Sequence, residues 1–177
     1  LSIPFVIGSS NVGLLYLISL GIPPWLAFIA VLALGIAIGF VNGVLSFRLQ
    51  GQALIVTLGV GFAVSGGTQI VTSIDTAFGG NVFGVVPPWL VNVATLSGST
   101  FGLKIPPVIV LWIIVAIALI FGLKNTRYGR TLYALGGSRL AARRLSISER
   151  AYWIGSYMIG GFFSALTGSL LLGWSGG

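Results

Sequence analysis

The sequence predicts an all-α polytopic membrane protein, with about five transmembrane helices and one short helix in a basic loop. Three observations carry this. Hydrophobic residues fill 56% of the 177 positions and charged residues only 6%, whereas a soluble domain carries about 25% charged residues. Apolar runs of the length that crosses a bilayer core recur along the chain. Seven of the nine Lys and Arg residues fall in one stretch, Lys124 to Arg150, where Glu149 is the only acid. A cationic island between apolar runs is a water-exposed loop between spans. The net charge of +7 therefore follows membrane topology. It does not point to nucleic acid, whose binders carry their charge on a soluble face.

Taken in order, the first span covers Leu1–Leu20 and is interrupted by Pro4, Gly8, Ser9, Ser10, Asn11 and Gly13. So polar a helix is expected to touch protein or to break beside a cavity. Gly21 to Pro24 is a tight connection, and proline in a first helical turn costs little, so the second span is set at Pro23–Phe47. Gly35, Gly39 and Gly43 repeat at four-residue spacing there and form one close-packing face. The third span, Ala53–Thr72, carries Thr57, Gly59, Gly61, Ser65, Gly66, Gly67 and Gln69, which places it inside the bundle. Residues 73–105 form a long loop with one apolar piece, Val85 to Val91, expected as an interfacial helix with Trp89 at headgroup level. The fourth span, Pro106–Leu123, is almost pure Val, Ile, Leu, Ala and Trp and has the strongest claim to face lipid. The fifth, Ala151–Leu172, has Gly160, Ser164 and Gly168 as a second packing face. Ser146 and Glu149 have capping-box spacing ahead of it.

The chain begins without Met inside one apolar run and ends just after another. It is read as the middle of a longer polypeptide, a fragment of a single transmembrane domain. Alternating spans put Arg48 and the 124–150 loop on one side, and Asp75 and Lys104 on the other. Basic residues favour the cytoplasm, so the 124–150 loop is expected inside and the 73–105 loop outside.

No catalytic set emerges. There is no Cys and no His, so thiolate chemistry and the usual transition-metal ligands are excluded, and no cofactor is expected in this chain. No Ser or Thr has a base to activate it, and no acid lies within a span to relay protons. Gly59 to Gly67 lacks the Lys of a phosphate-binding loop, and Gly136-Gly137-Ser138-Arg139 lacks its spacing. Within the basic loop, Gly136-Gly137 is a breaker and Ser138 a plausible N-cap. Arg139, Leu140, Ala141, Ala142, Arg143, Arg144 and Leu145 then make about two helical turns. Such a helix either docks in a partner's groove or lies on anionic headgroups.

At this loop the sequence resembles a known family. Thr126-Arg127-Tyr128-Gly129-Arg130-Thr131-Leu132-Tyr133-Ala134-Leu135-Gly136-Gly137-Ser138 is similar to the T-R-x-G-R-x-L-Y-A-x-G-G-N signature of ribose-type permeases, the membrane subunits of bacterial ABC importers for sugars. Ala141-Ala142-Arg143, Gly39-Phe40-Val41-Asn42-Gly43, Ile55-Val56-Thr57-Leu58-Gly59 and Leu1-Ser2 resemble further family segments in family order. Leu140 departs from the family's Glu, and Ser138 from its usual Asn. The resemblance implies an importer subunit that translocates a sugar, with a monosaccharide as the first expectation. It implies four kinds of partner: an ATPase subunit, an external sugar-binding protein, a second permease subunit (the same or different) and membrane lipid. The short helix at Ser138 to Arg144 would be the coupling helix, with Gly136, Gly137, Ser138, Arg139, Leu140, Ala141, Ala142 and Arg143 as the residues that meet the ATPase. Asn42, Thr57, Ser65 and Gln69 would be the candidates for the sugar's path, and this chain would not itself be an enzyme. The competing expectations are a secondary carrier or channel, and a permease of the same family for nucleosides or a signalling sugar.

Overall fold

A computed structural model describes residues 1–49, 52–74, 82, 84–95, 105–137 and 148–176. Every regular element among them is helical: α1 (Ile3–Ser19), α2 (Pro24–Arg48), α3 (Ala53–Ile74), α4 (Pro88–Ala94), α5 (Pro107–Asn125), α6 (Arg127–Gly137) and α7 (Glu149–Ser175). Four of these, α2, α3, α5 and α7, are long and apolar enough to cross a membrane, and α1 is a shorter apolar helix of 17 residues. The protein is therefore all-α and polytopic. Arg48, Lys124, α6 and Glu149 lie at helix ends that alternate to one side, called here the basic end.

Prolines open four helices. Pro4, Pro24, Pro88 and Pro107 all lie in a first turn, where a missing N–H costs nothing. The link between α1 and α2 turns at Gly21, whose φ of 82° lies in the left-handed region that glycine enters without penalty.

The centre of the bundle is α7. It buries 39% of its spanning stretch, against 28% for α2, 11% for α3 and none for α5. Gly35, Gly39 and Gly43 of α2 all turn toward it. A Cβ on Gly35 would come within 2.5 Å of the Ala165 methyl, and one on Gly39 within 2.9 Å of the Met158 Cα. One on Gly43 would lie 2.9 Å from the Ile154 Cα. The answering glycine on α7 is Gly161, which meets the backbone of Gly35 and Gly39. Gly160, singled out by the spacing, stands clear of any neighbour. A helix of 3.6 residues per turn moves each residue 100° from the last, so the facing position can shift by one without spoiling the repeat. Gly168 meets Ile7 and Ser10 of α1, and Gly173 accepts Leu90 and Ala94 of α4. Leu14, Leu15, Ala27, Val31, Ala165, Leu170 and Leu172 fill the core between these contacts.

Two readings of the sequence change here, and one holds. Glu149 opens α7, as its spacing to Ser146 suggested; Ser146 itself lies outside the described residues. The third span is not interior among the described residues: α3 buries only Thr57, Gly61 and Thr72, while Leu54, Ile55, Phe62 and Ile70 are exposed. It packs along one side, against α1 and α2. Finally, the basic loop contains α6 from Arg127 to Gly137, a stretch taken for loop; residues 138–147, which hold the expected short helix, are outside the described set. None of the residues of α5 is buried, as expected. The apolar piece at Val85 to Val91 does enter a short helix, but α4 runs from Pro88 to Ala94, with Trp89 edge-on to Phe28 at 5.7 Å and Leu90 and Ala94 buried against α7.

Helix α6 is joined to α5 by a tight corner. Thr126 is extended, its hydroxyl caps α6 by accepting from the Gly129 N–H at 3.2 Å and donates back to the Gly122 carbonyl. Gly129 lies against the Leu123 backbone, where no Cβ fits. Tyr128, Leu132 and Leu135 recur at i, i+4 and i+7, so they share one face. The Tyr128 ring lies 5.0 Å from that of Tyr152, and its hydroxyl donates to the Tyr152 carbonyl at 3.3 Å. Gly155 makes room for that hydroxyl, since a Cβ there would come within 2.8 Å of it.

Two predictions follow from these contacts, both measured by thermal or SDS-driven unfolding of the purified protein. Gly161→Leu and Gly39→Leu should each destabilise by about 1–3 kcal/mol through overpacking, whereas Gly160→Ala should be neutral or stabilising by up to about 1 kcal/mol through helix propensity. Tyr128→Ala should cost about 1–2 kcal/mol from the lost ring contact and burial, and Tyr128→Phe, which keeps the ring, less than about 1 kcal/mol.

Candidate functional site: a cavity beside the α2–α7 contact

A cavity of about 450 Å³ opens between the start of α1, the basic-end half of α2, the first turn of α3 and the middle of α7. Its walls include Ser2, Asn42, Thr57, Ser156, Tyr157 and Ser164, and the bare backbone of Gly39, Gly160 and Gly161. The glycines that let α2 and α7 touch also set Asn42 in place, because Asn42 immediately precedes Gly43 and faces α1.

Asn42 is 2% exposed. Its amide nitrogen donates to Ser2 Oγ at 3.0 Å, and its Oδ1 has no partner in the protein. One turn further, Ser46 is equally buried and its Oγ is also unpartnered. Leaving such a group unpaired in a low-dielectric interior costs about 1–3 kcal/mol; both atoms are enclosed by protein, and of the two residues only Asn42 belongs to the cavity wall. Three of the hydroxyls around the cavity donate to their own helices, and Ser2 Oγ accepts from Asn42. Thr57 donates to Leu54 O at 3.1 Å, Ser156 to Tyr152 O at 2.9 Å and Ser164 to Gly160 O at 2.7 Å. Each oxygen keeps lone pairs. The cavity is thus mainly apolar, with one amide and several hydroxyls in its wall and no charged side chain. A neutral solute that combines apolar faces with hydroxyls matches it.

Of the four path candidates, Asn42 and Thr57 line this cavity together. Ser65 and Gln69 do not. Gln69 is exposed and lies about 18 Å further along α3 than Thr57, at about 1.5 Å per residue. Sequence reasoning did not single out Ser2, Ser156 or Tyr157 for this role. Their only signal is that small hydroxyl residues recur on α1 and α7 at helical spacing, which reads equally well as packing. Ser164, assigned to packing, is both buried and part of the wall. Of the candidate coupling residues, Gly136 and Gly137 end α6 and border a second hollow of about 530 Å³ with Leu132, Leu135, Tyr152 and Trp153. Ser138, Arg139, Leu140, Ala141, Ala142 and Arg143 lie outside the described residues.

Among the described residues, no cluster of His, Cys, Asp and Glu could hold a metal ion.

Comparison with known proteins gives this bundle its kinship. Residues 1–175 match the family described as branched-chain amino acid transport system / permease component. The fructose import permease protein FruF of Bifidobacterium longum is 30% identical over 169 residues, which is 95% of this chain and 46% of that protein. The ribose import permease protein RbsC of Escherichia coli K12 is 34% identical over 152 residues, 80% of this chain and 42% of that one. The autoinducer 2 import system permease protein LsrD of Enterobacter sp. 638 is 26% identical over 176 residues, 99% and 53% respectively. The chain spans about half the length of the curated relatives it matches. No solved structure matches it. With nearly its whole length matched and four apolar helices long enough to span, this chain belongs to the branched-chain amino acid transport system / permease component family of membrane proteins.

Proposed function

We propose that the chain is part of the permease subunit of an ATP-driven ABC importer, and that its solute is a sugar handed over by an external binding protein. The family and the names of the relatives, import permeases for fructose, ribose and autoinducer 2, support the transport class. One observation supports the solute class: the uncharged cavity around Asn42, with hydroxyls set in an apolar wall. A monosaccharide is neutral, and its C–H faces and hydroxyls suit such a wall. The polar path through the described bundle is taken to run by Asn42 and Thr57.

In this reading the basic end faces the cytoplasm, so the cavity lies in the cytoplasmic half, where solute leaves. ATP is hydrolysed by a separate ATPase subunit, since the sequence holds no phosphate-binding loop. The stretch from Gly136 to Arg143 is the segment that meets that subunit, and a second permease subunit completes the pathway. No covalent chemistry on the solute is required. The work is a rigid-body exchange between inward- and outward-facing arrangements.

The test is uptake of labelled ribose and fructose into vesicles by the full-length permease with its binding protein and ATPase. Uptake should require ATP. Asn42→Leu should lower it about fivefold or more, the worth of one hydrogen bond of about 1 kcal/mol, with ATPase retention unchanged. Gly136→Pro and Ala141→Glu should instead release the ATPase subunit. Uptake that persists without ATP and follows an ion gradient would show a secondary carrier and overturn the reading.

A further inference from the structure

We propose that the outer face of α6 and the last turn of α5 form a binding surface for an anionic phospholipid headgroup. The surface consists of Lys124, Arg127, Arg130 and Tyr133. It is independent of which solute the protein carries.

Depth comes first. Helix α5 has 19 residues and buries none of them; Leu111 leans on the core, while Ile113, Ile114, Ile117, Ile120 and Phe121 are exposed and available to lipid. At about 1.5 Å per residue it is about 28 Å long, close to the roughly 30 Å of a bilayer's hydrocarbon core. A helix of that length has its last turn where hydrocarbon gives way to headgroups. Lys124 is in that turn. The corner at Thr126 then stops the chain from running on into water, and Tyr128 ties α6 to the first turns of α7 through Tyr152 and Gly155. The polar edge of the bilayer and α6 are therefore at the same level.

Direction comes next. Tyr128, Leu132 and Leu135 occupy the face of α6 turned to α7. On a 100° helical wheel, Arg127, Arg130 and Tyr133 fall on the opposite side. All three are exposed, Tyr133 at 67%. The sequence from Ile105 to Gly137 contains no acid. Glu149 borders the hollow on the other side of α6, with Leu132 and Leu135. Three cations and an amphipathic aromatic thus share one surface at headgroup depth with nothing acidic among them. Tyrosine favours that depth, and a cation near an anionic leaflet gains about fivefold in local lipid. A protein occupant would want apolar anchors at the centre of its contact, and this face has only the Tyr133 ring.

The experiment extracts the full-length permease, with its lipid shell retained, from membranes of phosphatidylglycerol and phosphatidylcholine, and counts both lipids per protein. The unmodified protein should be enriched in phosphatidylglycerol, and high salt during extraction should reduce the enrichment. The combined variant Lys124→Gln, Arg127→Gln, Arg130→Gln should lose most of that excess, at about fivefold per cation removed, with its melting temperature unchanged. Arg48→Gln, at the same end of the bundle, should keep it. The charge-preserving pair Arg127→Lys, Arg130→Lys should also keep it, which separates loss of charge from loss of fold. Unaltered enrichment in the triple variant overturns the proposal, as does equal loss in Arg48→Gln. So does a triple variant that keeps its lipid but releases the ATPase subunit, since the surface then belongs to a protein partner.

Discussion

Backbone-to-backbone contact between α2 and α7 is the constraint on which the other arrangements rest. Within a membrane, burying apolar side chains against one another gains little, because lipid tails are equally apolar. Close approach, with its many dispersion contacts, is what remains. Gly35, Gly39 and Gly43 remove the side chains from one helix, and Gly161 removes it from the other. The same device is then reused along α7. Gly155 receives α6, Gly168 receives α1 and Gly173 receives α4. Four glycines on one helix thus seat four neighbours at four heights. That is why α7 is the most buried of the spans although its composition is less apolar than that of α5.

The cavity is a by-product of that contact put to use. Where α2 and α7 touch, their surfaces match; just beside the contact, toward α1 and α3, the missing side chains leave space. Gly39 and Gly161 belong to both the contact and the wall. Polar groups can stand beside this space because hydroxyls on helices have an internal acceptor in the preceding turn, as Thr57, Ser156 and Ser164 show. Asn42 has no such recourse. It uses Ser2 for its donor and keeps an unsatisfied acceptor. An apolar residue in its place would leave Ser2 without this bond, and the proposed path is drawn past this amide.

Much of this was legible in the sequence. Hydropathy alone placed the spans to within a few residues, and the four-residue glycine spacing on α2 pointed to a close helix contact. The failures have physical causes. Helix α3 looked interior because its glycines and hydroxyls read as polar content, yet Thr57, Thr68 and Thr72 satisfy themselves on their own helix. Such residues cost much less at the margin than their polarity suggests. Helix α6 was hidden because Gly136-Gly137 and the cations dominate a loop reading, although Tyr128, Leu132 and Leu135 carried a helical period. The cavity could not be read at all. Ser2, Asn42, Thr57 and Ser164 come from four helices, and nothing in a linear pattern says which of many small polar residues will meet.

The helix lengths carry one more consequence. Helix α5 ends after 19 residues, whereas α2 has 25 and α7 has 27. At about 1.5 Å per residue, α7 is about 12 Å longer than α5, and both must fit the same hydrocarbon slab. Hydrophobic mismatch of this size is relieved by tilt or by letting the surplus stand outside. The surplus of α7 at the basic end is the turn from Glu149 to Tyr152, the one that Tyr128 holds. A thicker bilayer would draw that turn inward while α5 stayed short, and would strain the Thr126 corner between them. Bilayer thickness is thus a mechanical input to the segment on the way to the basic loop.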